Sequence, residues 1–232
     1  MSLQTNWDAR AALNFMCGGA GAGLMIASAV LGLPDASIAL ALALIACGLG
    51  AVWLELGKPL RALHVFFNPF TSWMARESFA AVLVFALGIG TFFMRELLPG
   101  AALAAALFLY CQARMLQGAT GIPAWRTPGS VARLVSTGLA EGMGLALVFS
   151  ASPLALSLFA LAVIARAFAN SEWFMTLAIL ALVALGAFVP YAAAVGGLVA
   201  LAAGWHMKFT LVTRASHKQG FALPRLPVRG TR

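Results

Sequence analysis

The stretch AALNFMCGGAGAGLMIASAVLGL, residues 11–33, runs for 23 residues without one charged side chain. At ~1.5 Å per residue a helix of that length outreaches the ~30 Å hydrocarbon layer of a bilayer. It is longer than the apolar core of a secretory signal and only Arg10 precedes it closely, so it is expected to remain as a first span. Runs like it recur along the chain. Of the 232 residues, 62% are hydrophobic and 9% charged, and the mean hydropathy is +0.94. A water-soluble domain of this size needs a polar coat that such a composition cannot supply. Backbone groups in lipid must be hydrogen-bonded within the protein, and unbroken apolar runs do this as helices. The expected fold is therefore all-α, a polytopic transmembrane helical bundle occupying residues 1–214, followed by a basic tail at 215–232.

Eight spans fit, near 11–33, 35–56, 75–97, 100–116, 129–150, 152–170, 172–188 and 190–214. The fourth and seventh are short for the layer, and seven crossings is the alternative. With eight, both termini and the connections at 57–74, 117–128 and around 171 share one side. Fourteen of the fifteen Lys and Arg then lie towards that side, and only Arg95 towards the other. The positive-inside rule makes the basic side cytoplasmic, N- and C-termini included. The net charge of +8 thus reports topology rather than a nucleic-acid surface.

The three cysteines, Cys17, Cys47 and Cys111, all fall within apolar runs, with no CxxC and no Cys/His cluster. That pattern gives no metal or iron–sulfur site in this chain and reads as inert buried thiols. Haem is not expected either, because a b-type haem wants two histidines on facing spans and only His206 lies in one; His64 and His217 lie outside. The glycine-rich GGAGAG at 18–23 lacks the strand of a nucleotide loop. Gly19 and Gly23 instead form a GxxxG pair that lets a neighbouring helix come close.

Polar side chains are expensive in lipid, so each needs a reason. Asn14, Glu55, Arg76, Glu77, Tyr110, Gln112, Arg114, Arg133, Arg166, His206 and Lys208 all lie near the basic ends of different spans. One reading is interfacial anchoring and interhelical hydrogen bonding. The sharper one is a pocket for a polar, neutral head group on a greasy tail, for which a quinone fits. Its carbonyls need donors and its reduction needs protons, which histidine, carboxylates and tyrosine supply. Glu141 lies deeper, near the middle of the fifth span. It is either a neutral acid bonded to a neighbour or, with Glu55, part of a proton path.

Residues 55–78, ELGKPLRALHVFFNPFTSWMARES, interrupt the oily chain on the basic side. RALHVFF alternates aromatic and polar faces between Pro59 and Pro69, the pattern of a short helix lying in the interface. The segment LGKPLRALHVFFNPFTSWMARE also resembles the corresponding part of NrfD/DmsC-type membrane anchors of molybdenum–iron–sulfur oxidoreductases. WDARAALNFMCGGAGAGL (7–24) looks like that family's first span. YCQARMLQGATGIPAWRTP (110–128) and KFTLVTRASHKQGFALPRLPVRG (208–230) are similar to a branch that anchors sulfite-oxidising enzymes and phenylacetyl-CoA:acceptor oxidoreductases. The likeness covers most of the chain and weakens between about 165 and 190.

This resemblance implies a three-subunit complex in the bacterial cytoplasmic membrane. The partners would be a ferredoxin-like iron–sulfur subunit and a molybdopterin catalytic subunit, with the haem-free anchor reducing ubiquinone or menaquinone near the face that receives them. By position, His64 and Glu77 would carry proton chemistry, with Asn14, Arg76 and Tyr110 completing the quinone site. Lys58, Arg61, Arg126 and Arg225 would meet the partner subunit. Two other classes stay open: a proton, ion or solute transporter, for which Glu141 speaks, and a passive anchor without a quinone site.

Overall fold

The computed structural model describes residues 8–54, 59–119, 123–186 and 188–214. Among them the chain forms eight α-helices and no strand. They are α1 (Ala9–Leu31), α2 (Asp35–Trp53), α3 (Trp73–Gly90), α4 (Leu98–Gly118), α5 (Ser130–Phe149), α6 (Pro153–Asn170), α7 (Trp173–Gly186) and α8 (Pro190–Phe209). Short 3₁₀ turns at Pro59–Phe67, Arg95–Leu97 and Pro123–Arg126 join some of them, and a π turn, Thr210–Arg214, continues α8. Seven of the helices are long and apolar enough to cross a membrane; α7, with 14 residues, falls short. The expectation of a polytopic helical bundle holds, with Pro59–Phe67 helical between its prolines.

The helix ends follow local chemistry. Ser72 and Ser152 cap α3 and α6 by accepting from the backbone N–H of Ala75 and Ala155. The span expected at 75–97 stops at Gly90, where Thr91 donates its hydroxyl to the Gly88 carbonyl at 2.6 Å. The chain turns and restarts with Pro99 in the first turn of α4, so α4 is a full 21 residues. Phe92, Phe93 and Met94 keep the turn after Gly90 apolar up to Arg95, so the pattern alone runs past the helix end.

The hub is α1, which packs against α2, α4, α5 and α8. Its glycine motif makes this possible. A Cβ at Gly21 would strike the Ala41 carbonyl of α2, and one at Gly23 would overlap the Gly138 carbonyl of α5. Gly18 faces Gln112 and Phe108 of α4, and Gly19 faces the Lys208 amine of α8. Small residues thus bring the backbones close enough for dispersion to hold helices whose surroundings are as apolar as they are.

Two ends of the bundle are distinguishable. At one, Ala12, Phe15, Leu116, Trp125, Leu134 and Val212 form a buried cluster, and Trp125 donates its indole N–H to the Leu211 carbonyl at 2.9 Å. The first turns of α1 and α5 and the last turns of α4 and α8 therefore meet there. At the other end Ser28 and Ser37 share a 2.8 Å hydrogen bond. Arg95 there pairs with Asp35 and donates to the Leu33 carbonyl.

The shortness of α7 has a structural cause. Asn170, at the α6–α7 turn, donates to the Thr137 hydroxyl at 3.3 Å. Thr137 lies seven residues inside α5, ~10 Å along its axis. The turn is recessed by that depth, and Ser171 closes α6 there in the left-handed region at φ 59°. From this recess α7 runs beside the first half of α8, with Gly186 against Ala193 and Gly196 against Leu182.

Candidate functional site

Among the described residues, two buried groups of side chains include a carboxylate inside the bundle. The first joins α1, α3 and α4. Asn14 and Gln112 both aim amide nitrogens at Glu77 Oε1, each at 3.4 Å, and the Gln112 amide also donates to the Asn14 backbone carbonyl at 3.0 Å. All three side chains are buried. The second carboxylate oxygen of Glu77 has no hydrogen-bond partner among the described residues. Asn14 Oδ1 is also buried without a partner. A buried unsatisfied acceptor and a carboxyl in an apolar interior are costly, and they are found where something else completes them.

Towards the basic rim the same helices carry a cationic aromatic group. Trp73, at the start of α3, lies edge-on to Tyr110, with ring centroids 5.9 Å apart. The guanidinium of Arg76 stands 4.3 Å and that of Arg114 4.7 Å from the Trp73 ring centre. Arg76 is also clipped to the preceding loop, donating to the Pro69 carbonyl at 2.8 Å and the Phe70 carbonyl at 2.5 Å. A cation over an indole face is held both by the ring's quadrupole and by dispersion.

The second buried group joins α5, α6 and α8. Lys208 Nζ donates to Glu141 Oε2 at 2.5 Å, and neither side chain is more than 1% exposed. Glu141 Oε1 has no hydrogen-bond partner among the described residues. Lys208 points back along α8 towards its N-terminus, as helical side chains do, into space left by Gly19. Glu141 enters the corresponding space at Gly204. Nearby, Arg166 is buried, donates to the Ala200 carbonyl and pairs with Glu172 at 2.6 Å.

Of the residues expected from the sequence, Asn14 and Glu77 are in direct contact. Arg76 and Tyr110 belong to the rim group around Trp73, and among the described residues their side chains make no hydrogen bond or ion pair with Asn14 or Glu77. His64 is exposed on the 3₁₀ turn, edge-on to Phe67 at 5.3 Å, while Phe66 of that turn packs on Phe79 of α3. Glu141, expected either as a neutral acid bonded to a neighbour or as part of a proton path, has Lys208 as its neighbour. Arg126 is exposed on its 3₁₀ turn. The backbone at Arg61 is helical; Glu55, Lys58, Arg225 and the whole tail at 215–232 lie outside the described residues. Gln112 was visible only as one polar residue near a helix end, and its role as the link between Asn14 and Glu77 carries no mark in the sequence. Among the described residues no group of three His, Cys, Asp or Glu could hold a metal.

No protein-family model matches the chain, and no curated protein matches it.

Proposed function

We propose that this chain is the membrane anchor of a multi-subunit oxidoreductase, exchanging electrons between a docked iron–sulfur subunit and the quinone pool beside the α1–α3–α4 cluster. The observation that supports it best is Glu77. One of its oxygens is shared by the Asn14 and Gln112 amides and the other is free among the described residues, at the level where α3 begins and α4 ends. A quinone takes up two protons with two electrons on reduction. A buried carboxyl held by two amides suits the protonic half of that chemistry, because it can accept or release a proton at Oε2 without losing its position. The amides also restrict what approaches it to a group able to accept their hydrogen bonds.

The rim adds the entry. Trp73 and Tyr110 are at home between lipid and water, and Arg76 and Arg114 raise the local positive potential. His64 is exposed on the turn seated on α3, where its ring nitrogens can hydrogen-bond water. Here the basic end of the bundle is cytoplasmic, in a bacterial inner membrane, with both termini there and α7 completing the eighth crossing from its recess. The partners are the iron–sulfur and molybdopterin subunits, and the electrons flow towards quinone.

The test is Glu77→Gln in the intact membrane complex, isolated in mild detergent with its companion chains identified. Quinone reduction should fall ~10²–10⁴-fold while reduction of a soluble dye by the catalytic subunit is unchanged. Unaltered quinone turnover would remove the assignment, and isolation of the chain alone, without redox-active partners, would remove the complex. A second reading, proton or ion transport, is favoured by the buried Lys208–Glu141 pair beside Arg166 and Glu172. It predicts ion flux through proteoliposomes holding this chain alone.

A further inference from the structure

At the rim, Trp73, Arg114, Gln117, Gly118 and Arg126 line an open cavity of about 280 Å³ between α3, α4 and the turn that follows α4. Among the described residues that line it, two of five are arginines and none is a carboxylate. Arg114 makes no ion pair or hydrogen bond among the described residues, and its Nε is fully buried without a partner. Arg126 likewise has no anionic partner among them. A third guanidinium, Arg76, is held over the Trp73 ring. A partly desolvated guanidinium with an orphaned donor is costly to leave unpaired. The cavity therefore calls for an anion. It does not suit a neutral quinone ring, which needs apolar walls.

We propose that this cavity binds the phosphate of an anionic glycerophospholipid. A phosphodiester offers two charged oxygens, each with several lone-pair sites, matching the fork of Arg114, the Arg126 guanidinium and the Gln117 amide together. The choice of a lipid over a free anion comes from α4. Leu103, Leu107, Tyr110 and Arg114 recur at spacings of four, three and four, which places them in one stripe along the helix. Leu103, Leu107 and Tyr110 are exposed. That stripe gives an acyl chain an apolar track leading from mid-membrane to the guanidinium that meets its head group. Basic pockets between spanning helices on the cytoplasmic side suit such head groups for the same reason. The site is separate from the Asn14–Glu77–Gln112 cluster and stands whether or not the chain reacts with quinone.

The test is native mass spectrometry and thermal unfolding of the detergent-purified full chain, titrated separately with phosphatidylglycerol, phosphatidylcholine and inorganic phosphate. Wild type should retain phosphatidylglycerol in preference to phosphatidylcholine and unfold at higher temperature with it, while inorganic phosphate has little effect. Arg114→Gln and Arg126→Gln should each lower that preference about fivefold. Gln117→Glu, a change at the cavity wall that leaves both arginines in place, should lower it as well by setting a negative charge against the phosphate. Equal binding of the two lipids, or a preference unchanged in all three variants, overturns the proposal. Stabilisation by inorganic phosphate equal to that by phosphatidylglycerol overturns the lipid as the source.

Discussion

Replacing Lys208 by methionine keeps the unbranched side chain to within one heavy atom of its length and removes its charge. Lys208 and Glu141 are both essentially inaccessible and meet at 2.5 Å. Glu141 Oε1 is already without a partner, so the substitution leaves both carboxylate oxygens unsatisfied. Breaking such a pair from one side costs ~3–5 kcal/mol, mostly through the charge left behind. Replacing both members by apolar side chains of similar shape removes that charge, and the double variant Lys208→Met/Glu141→Met should return to within ~1 kcal/mol of wild type. The two single losses should then fail to add by at least ~2 kcal/mol. Unfolding of the full chain in mixed micelles by a denaturing detergent, followed through the fluorescence of its six tryptophans, measures all four corners of the cycle. A Lys208→Met variant as stable as wild type would refute the reasoning. So would a double variant as damaged as the sum of the singles, because the loss would then lie in packing rather than in an orphaned charge.

Gly142→Ala should lower stability by ~1–3 kcal/mol or more in the same assay, since its Cβ would overlap the Gly23–Leu24 backbone, which cannot swing aside. Trp125→Phe leaves the Leu211 carbonyl without its 2.9 Å donor in a buried cluster and should cost ~1–3 kcal/mol. Asp35→Asn, by contrast, touches an ion pair whose two side chains are 41% and 61% exposed, and should change stability by less than ~1 kcal/mol.

The bundle was legible because the spans differ from their connections in hydrophobicity, and the interfacial turn at Pro59–Phe67 because its prolines and aromatics mark both its ends and its face. The end of α3 was not, because Phe92, Phe93 and Met94 continue its apolar run past the turn at Gly90. In the site, Asn14 and Glu77 stood out as polar residues in apolar spans, and they do meet. Tyr110 and Arg76 stood out equally and instead share Trp73, for helical spacing turns them to the other face.

The amino-acid sequence by itself determined that this chain is a bundle of apolar helices with few charged side chains. Both properties depend on composition along the chain, and a backbone in lipid has hardly any other way to satisfy its hydrogen bonds. Only the tertiary structure decided that Glu141 meets Lys208, 67 residues later, and that Gln112 bridges Asn14 and Glu77. Periodicity tells which side of a helix is buried but not which helix lies against it. That choice belongs to the glycines of α1, where the absence of a side chain lets particular neighbours, and no others, come close.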